Sequence, residues 1–277
     1  MSFDVSMLHP AQDANKYSRG KLVVVAGSGR YPGAAVLAAR ASQRMGSGYT
    51  EVITARDAVD IVRMASPSLV VRPFDEWRPE ELPSSKQGKP CAVCIGPGFV
   101  GSEGETDVLA SVLKRAHCPV IVDGGGLVGL VSGKAMKRLT MRAEREFPTV
   151  ITPHGGEAAR LAKPFNLFTD DPAQLAVGLS IALHAIVVLK GPDTYVADGR
   201  HVETMGEGTP ALAKAGTGDV LAGMIGALLA QGIGAYEAAF AGALLHARAG
   251  KAAADRLTDI AVTAEDVIEA IPEILKR

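Results

Sequence analysis

The chain has 277 residues, of which 47% are hydrophobic, and its formal net charge is −1. This length suits one large α/β domain or two small ones, and the lack of a basic block argues against a general nucleic-acid-binding surface. Because no apolar run is long enough to span a bilayer and residues 1–20 lack a signal-peptide pattern, we expect a cytoplasmic protein that does not enter membranes.

Buried strands, turns rich in glycine or proline, and helices alternate along the chain. The continuous β-branched run at 21–26 predicts a strand buried in a parallel sheet, and further strands are predicted at 50–54, 91–95, 119–123, 149–152 and 185–190. A short strand is predicted at 69–71, within an irregular stretch at 67–90. Helices are predicted at 33–45, 56–65, 104–116, 133–144, 172–183, 220–230 and 235–254, with a further helix start within 153–157 and a last helix capped by Thr263. The runs 194–198 and 201–205 predict a β-hairpin.

This alternation predicts an α/β protein with a mostly parallel sheet and helices on both faces. No change in composition marks a domain boundary, so we expect a single domain over residues 1–277, with 1–20 as an N-terminal arm. Cys91 and Cys94 have a spacing that is found in redox and zinc sites. Side chains three apart on a strand point to opposite faces, however, so we expect these two thiols to stay apart.

The turn Gly216-Thr217-Gly218 ends in Asp219 and is followed by a helix-length apolar run, 220–230. A helix start leaves backbone N–H groups without partners at the positive end of the helix dipole, which makes an anion-binding site. A carboxylate there either stabilises the helix or, beside a bound phosphate, accepts a proton from a substrate hydroxyl. The chain has neither a P-loop nor a Gly-x-Ser-x-Gly elbow, so the pattern favours phosphoryl transfer to a hydroxyl.

Other turns also follow predicted strands, and the carboxyl ends of parallel strands share one edge of a sheet, where ligands bind. These turns lie at 27–33, 96–98, 123–126, 152–157 and 190–194. They would bring Asp123, His154, Lys190 and Thr194 to the edge that holds Asp219. Two alternatives stay open: Asp123 as the N-cap of a short helix, and His154 as a structural residue of its turn. The glycines at 27–33 are spaced one residue too widely for a dinucleotide-binding fingerprint.

The motif at 216–219 resembles the anion hole and catalytic aspartate of the ribokinase-like superfamily. Further motifs stand at 31–35 (Tyr-Pro-Gly-Ala-Ala), 95–98 (Ile-Gly-Pro-Gly), 122–124 (Val-Asp-Gly), 152–157 (Thr-Pro-His-Gly-Gly-Glu) and 188–191 (Val-Leu-Lys-Gly). Together, over residues 16–275, they resemble the ADP- or ATP-dependent NAD(P)H-hydrate dehydratases. The resemblance implies the three-layer ribokinase-like fold.

The resemblance also implies a reaction. The terminal phosphoryl group of ADP or ATP would pass to the C6 hydroxyl of hydrated NADH or NADPH, and loss of phosphate would restore the coenzyme. Asp219 would be the general base, the amides of Gly216, Thr217 and Gly218 would hold the phosphoryl group, and Mg²⁺ would shield charge with no residue assigned to the metal. The hydrate would be contacted by Ala35, Gly96, Gly98, Asp123, His154 and Asp219. The nucleotide would be contacted by Lys190, Gly191, Pro192, Asp193, Thr194 and Gly218.

Two positions depart from the family pattern. Gly155 stands where proline is common, which should loosen the turn after His154, and residues 15–20 read Asn-Lys-Tyr-Ser-Arg-Gly where a His-Lys-Gly is usual. For the partners, we expect a homo-oligomer such as the tetramer common in the family. We also expect a separate NAD(P)H-hydrate epimerase acting in the same pathway.

Two other functions stay as alternatives. The first is a small-molecule kinase of the same fold, acting on hydroxyethylthiazole or a pyrimidine alcohol, in which Asp219 would do the same work and the phosphate would stay on the product. The motifs at 31–35 and 152–157 favour the dehydratase over this kinase. The second is a nucleotide-binding regulatory protein without turnover, against which the intact Thr217 and Asp219 argue.

Overall fold

The β-branched runs of the sequence form one nine-stranded sheet in the computed structural model, which describes residues 2–276. The strands are β1 Lys21–Val25, β2 Tyr49–Thr54, β3 Val70–Pro73, β4 Cys91–Ile95, β5 Val120–Val122, β6 Thr149–Ile151, β7 Ile186–Leu189, β8 Thr194–Ala197 and β9 Val202–Met205. Their order across the sheet is β3-β2-β1-β4-β5-β6-β7-β8-β9. Strands β1 to β7 pair in parallel, and β8 and β9 add an antiparallel hairpin. The predicted mostly parallel sheet and its hairpin are therefore confirmed.

Helices cover both faces of the sheet. They are α1 Pro32–Arg44, α2 Val59–Ala65, α3 Glu103–Arg115, α4 Gly126–Gly129, α5 Gly133–Glu144, α6 Gly155–Ala162, α7 Pro172–Leu183, α8 Thr217–Ala230, α9 Ala235–Leu257 and α10 Ala264–Ile274. One face packs against α1, α2, α8, α9 and α10, and the other against α3 to α7. No helix between residues 2 and 276 is long and apolar enough to cross a membrane.

Strand β1 illustrates why the sheet needs both layers. Leu22 and Val24 point into the core beneath α1 and α8, whereas Val23 and Val25 point into the core beneath α3. Each such side chain contributes about 1.5–3 kcal/mol when it is removed from water, so a sheet of this composition is stable only when it is covered on both faces.

Helix α8 lies in the middle of its layer, and every residue from Val220 to Ala230 is buried. It packs directly against α1 because Gly223 has no side chain: a Cβ there would lie 2.1 Å from the carbonyl oxygen of Ala38. This close contact with a buried helix fixes the position of the N-terminus of α8 at the carboxyl edge of the sheet.

Some predicted bounds were wrong. Helix α8 begins at Thr217 instead of residue 220, and the predicted helix at 56–65 is split into a 3-10 turn, Arg56–Ala58, followed by α2. Cys91 and Cys94 lie on opposite faces of β4, as predicted. The spacing of the cysteines did not indicate that Cys91 hydrogen bonds with Cys118, which lies just before β5.

Candidate active site

The candidate site is built around the first turn of α8. Gly216 is the N-cap residue and has a φ of 94°, a left-handed conformation that favours glycine. A Cβ at Gly216 would also lie 2.7 Å from Cδ1 of Leu37. The helix start leaves the amides of Gly218 and Asp219 without partners in the helix, so they form the anion-binding end of α8.

The buried side chain of Thr217 ties the first turn of α8 to the loop that precedes it. It is 6% exposed, and its hydroxyl donates to the carbonyl oxygens of Leu212, at 2.8 Å, and Lys214, at 2.9 Å. Both acceptors belong to the loop that leads into α8. Thr217 therefore holds the loop in place through its hydroxyl, and its backbone amide also donates to the carbonyl oxygen of Lys214 at 3.4 Å.

Lys190 and Asp123 form a buried ion pair under the N-terminus of α8. Nζ of Lys190 donates to Oδ1 of Asp123 at 2.9 Å, and the hydroxyl of Thr152 donates to the same oxygen at 2.6 Å. The side chain of Asp123 is only 3% exposed, against 20% for Lys190. Gly125 is the N-cap of α4, so the alternative that Asp123 caps that helix is wrong.

The ammonium group of Lys190 also reaches α8. A Cβ at Gly218 would lie 3.2 Å from Nζ of Lys190, so the absence of a side chain at Gly218 gives the ammonium room beside the turn. Burial by itself would lower the pKa of Lys190. The negative charges around the ammonium outweigh this effect and raise the pKa; they belong to Asp123, Glu157 and Asp219. A fixed positive charge therefore stands beside the unpaired amides.

Asp219 is the third residue of α8 and lies in the field of this pair. Its burial raises its pKa from 3.8 to about 7, with a further contribution from the charge of Asp123, while Lys190 acts in the opposite direction. A carboxylate that is a poor base in water becomes, with a pKa near 7, well matched to general-base catalysis at neutral pH. A carboxyl group with this pKa can accept a proton near neutral pH.

His154 and Glu157 close the start of α6 on the side of β7. Nδ1 of His154 accepts from the amide of Gly156 at 3.0 Å, and the carboxylate of Glu157 accepts from the amide of His154 at 2.8 Å. This reciprocal capping box holds the turn although Gly155 replaces the usual proline, so the predicted loosening is not reflected in its hydrogen bonds. The His154 side chain is 56% exposed, which leaves its outer edge open to a ligand.

The turns after β1 and β4 pack against one another at the same edge. The amide of Gly27 donates to the carbonyl oxygen of Pro97 at 2.8 Å, and the hydroxyl of Ser28 donates to that of Gly98 at 2.7 Å. Gly96 is forced to be glycine, because a Cβ would lie 2.1 Å from the carbonyl oxygen of Asp123. These turns thus form one continuous backbone surface beside the turn at 123–126.

The remaining predicted contact residues differ in their exposure. Ala35 is fully buried, so the structure leaves no open face on its side chain for the hydrate. Gly191, Pro192 and Asp193 are exposed and lie between β7 and β8, and Thr194 is half-buried at the start of β8. The nucleotide contacts at 191–194 stay predictions that rest on the resemblance.

Two residues near the site were not singled out from the sequence. The carboxylate of Glu157, part of the motif at 152–157, adds negative potential at Lys190 and is 14% exposed. His246 of α9 is buried behind the turn, hydrogen bonds to the backbone of Thr217, and has a pKa lowered to about 4, mainly by burial. The motif could have indicated Glu157, whereas a lone histidine in an alanine-rich helix gives no signal.

A cavity of about 500 Å³ lies elsewhere, at the amino-terminal ends of β5 and β6. Several of the cationic side chains that line it, including Arg115 and Arg142, belong to the last turns of α3 and α5, where positive charge complements the helix dipole. None of the predicted site residues lines this cavity.

The similarity to known proteins follows the same elements. A family model described as NAD(P)H-hydrate dehydratase matches residues 22–273. The chain belongs to the NAD(P)H-hydrate dehydratase family. Within this family, the ADP-dependent (S)-NAD(P)H-hydrate dehydratase of Xanthomonas campestris is 31% identical, and the match covers 97% of this chain and 92% of that protein.

Other relatives are longer. A bifunctional NAD(P)H-hydrate repair enzyme of Thermofilum pendens is 35% identical over 95% of this chain, and the match covers 51% of that protein. The chain therefore spans about half the length of this bifunctional relative of the dehydratase family.

Solved structures of the dehydratase family agree with the fold. The ADP/ATP-dependent NAD(P)H-hydrate dehydratase of Bacillus subtilis, co-crystallised with ATP and Mg²⁺, has a TM-score of 0.83 and 26% identity, with coverage of 98% of this chain and 96% of that chain. A ribokinase-like superfamily protein of Enterococcus faecalis has a TM-score of 0.77 at 24% identity, covering 99% and 94%, and supports the fold alone. The predicted ribokinase-like fold is confirmed.

Proposed function

We propose that this protein repairs hydrated NADH and NADPH by nucleotide-dependent dehydration. The observation that carries the proposal is the partly buried carboxyl group of Asp219, whose pKa is raised to about 7 on the first turn of α8, beside the ammonium of Lys190. Membership of the dehydratase family supplies the substrate class. We further propose that residues 1–277 act as a single dehydratase domain.

In the proposed reaction, Asp219 takes the proton from the C6 hydroxyl of the hydrated nicotinamide ring, and that oxygen attacks the terminal phosphorus of the nucleotide. The bond from this phosphorus to the bridging oxygen breaks, so AMP leaves when ADP is the donor and ADP leaves when ATP is the donor. The free amides at the start of α8 and the ammonium of Lys190 stabilise the negative charge on the phosphoryl oxygens. In the second step the C6–O bond breaks, phosphate leaves, and loss of a proton from the neighbouring ring carbon restores the double bond. His154, with its open outer edge, would contact the hydrate.

Mg²⁺ fits this site as a partner of the nucleotide. Among residues 2–276, no group of three or more His, Cys, Asp or Glu side chains is arranged to hold a metal ion. Mg²⁺ does not need such a cage, because it usually keeps several waters and binds one or two carboxylates together with substrate phosphates. The carboxylate of Glu157 would hold it here, and the ion would neutralise charge that develops on the phosphates.

The names of the relatives support ADP as the nucleotide more than ATP. The Xanthomonas relative is ADP-dependent, whereas the Bacillus protein is ADP/ATP-dependent. The bifunctional relatives support an NAD(P)H-hydrate epimerase as the partner in the same pathway. The kinase alternative has less support, because the similarity to the hydroxyethylthiazole kinase of Pyrococcus horikoshii, at 16% identity, concerns the fold alone.

The direct test incubates the protein with NADH hydrate, Mg²⁺ and either ADP or ATP, and follows the return of dihydronicotinamide absorbance. We expect recovery of NADH together with release of one phosphate per molecule repaired. Stable phosphorylation of a thiazole or pyrimidine alcohol, without recovery of NADH, would instead establish the kinase alternative. No recovery with either nucleotide would refute the proposed function.

A further inference from the structure

The carboxylate of Asp123 is enclosed by protein, although it follows β5 at the edge where ligands bind. Asp123 is 2% exposed. Its Oδ1 atom receives both the ammonium of Lys190 and the hydroxyl of Thr152. A carboxylate with so little accessible surface can act on a ligand only through the groups that it holds.

The backbone on both sides of this ion pair is fixed by the sheet. The amide of Asp123 donates to the carbonyl oxygen of Ile95 at 3.0 Å, and the amide of Lys190 donates to that of Pro153 at 2.8 Å. Thr152 donates its own amide to the carbonyl of Val122. The carboxylate and the ammonium therefore start from rigid strand ends, and the ion pair decides the direction of the flexible lysine side chain.

Resting on the proposed function, we propose that Asp123 is a positioning residue: held by Thr152, it fixes the ammonium of Lys190 beside Gly218, where that ammonium meets the phosphates of the bound nucleotide. A lysine is a flexible point charge with considerable rotamer freedom. If Asp123 did not restrain it, the ammonium of Lys190 could turn toward the carboxylates of Glu157 or Asp219, which also attract it. The buried carboxylate removes this freedom before the nucleotide arrives.

The test compares Asp123→Ala and Asp123→Asn with the wild type. Affinity for ADP and for ATP is measured by calorimetry on the protein alone, with Mg²⁺ and without the hydrate. In the alanine variant the ammonium of Lys190 is no longer held beside the phosphates, so nucleotide affinity should fall by roughly 10- to 100-fold. The loss should be smaller in the asparagine variant, whose side chain can still accept from Lys190. In turnover, the KM for the nucleotide should rise while the KM for the hydrate changes little.

A matched control exists at the other end of the sheet. Glu51 is 8% exposed and pairs with Lys21 at 2.6 Å, so it is also a buried carboxylate paired with a strand lysine. Glu51→Gln should lower the melting temperature without changing nucleotide affinity. If Asp123→Ala also lowers the melting temperature without changing nucleotide affinity, the role of Asp123 is structural and the proposal is wrong.

A double-mutant cycle with Lys190→Met separates positioning from a direct role. If Asp123 acts through Lys190, adding Asp123→Asn to Lys190→Met should weaken nucleotide affinity no further. Additive losses would overturn the proposal, as would unchanged affinity in both Asp123 variants. Should the dehydratase assay fail while ADP affinity still falls in the single variants, the proposed function is refuted and the positioning role stands.

Discussion

Replacing Asp219 by asparagine should lower activity and raise stability at the same time. A general base contributes about 10²–10⁴-fold to turnover, so under the proposed mechanism Asp219→Asn should lose about that factor in kcat. The same carboxyl group is destabilising when it is ionised, because burial raises its pKa from 3.8 to about 7 in the folded protein. Asparagine keeps the shape of the side chain and removes that charge.

The sign and the pH range follow from proton linkage. The folded protein binds the proton of Asp219 more tightly than the unfolded chain does, so the group favours folding below pH 4 and this benefit is lost as pH rises toward 7. A pKa difference of this size corresponds to at most about 4 kcal/mol, which solvent around the partly buried group reduces to about 1–3 kcal/mol. Asp219→Asn should therefore match the wild type near pH 4 and exceed its stability by that amount at pH 8.

The measurement is urea unfolding at pH 4.5, 6 and 8, alongside kcat at pH 7.5. Asp198 provides a control of opposite sign, because its carboxylate accepts from the amides of Arg200, at 2.9 Å, and His201, at 2.7 Å, and has a lowered pKa. Asp198→Asn should leave kcat unchanged and add no stability at pH 8. If Asp219→Asn is less stable than the wild type at pH 8, or retains near-normal turnover, the assignment of Asp219 as a buried base is wrong.

Three substitutions test the structure away from the chemistry. Gly155→Pro should raise stability by about 0.4–1 kcal/mol, since Gly155 is the first residue of α6 and a Cβ there meets no atom within 4 Å; a lower melting temperature would contradict this. Arg142→Met should lower the free energy of unfolding by about 2–5 kcal/mol, because this buried guanidinium donates to the carbonyl oxygens of Ala116 and Cys118. A loss below about 0.5 kcal/mol in urea unfolding would show that these carbonyls find other partners. Gly223→Ala should cost about 1–3 kcal/mol by separating α8 from α1, whereas Gly104→Ala, in open space on α3, should cost nothing.

The sheet could be predicted well from the sequence, because strands that are buried on both faces are apolar along their whole length. The run at 91–95 reads Cys-Ala-Val-Cys-Ile, is bounded by Pro90 and Gly96, and forms β4 with the predicted bounds. Helix starts were harder, since the first turn of α8 is made of residues that also favour turns. Glycine at 216 and 218 concealed the true start at Thr217, where the helix follows the left-handed N-cap residue Gly216.

The sequence predicted which strand ends meet at the site, but only partly which side chains contact one another there. Strand ends at 122–124 and 188–190 placed Asp123 and Lys190 on one edge, as the rule for open parallel sheets requires. The pattern could not tell that Lys190 would turn its ammonium onto Asp123 and cover its carboxylate. The hydroxyl of Thr152, which comes from a third strand end, supplies a second hydrogen bond to the same carboxylate oxygen.

The charges of the site imply that nucleotide binding takes up a proton. Burial, and then the charge of Asp123, already raise the pKa of Asp219 to about 7. Phosphate groups bound at the free amides of α8 would add negative charge and raise this pKa further. At pH 7.5, ADP binding without Mg²⁺ should therefore protonate Asp219, and the heat of binding should depend on the ionisation enthalpy of the buffer. Mg²⁺ should reduce this uptake by neutralising the phosphates. Asp219→Asn should remove this proton uptake, and an unchanged uptake in that variant would mean that a different group carries the proton.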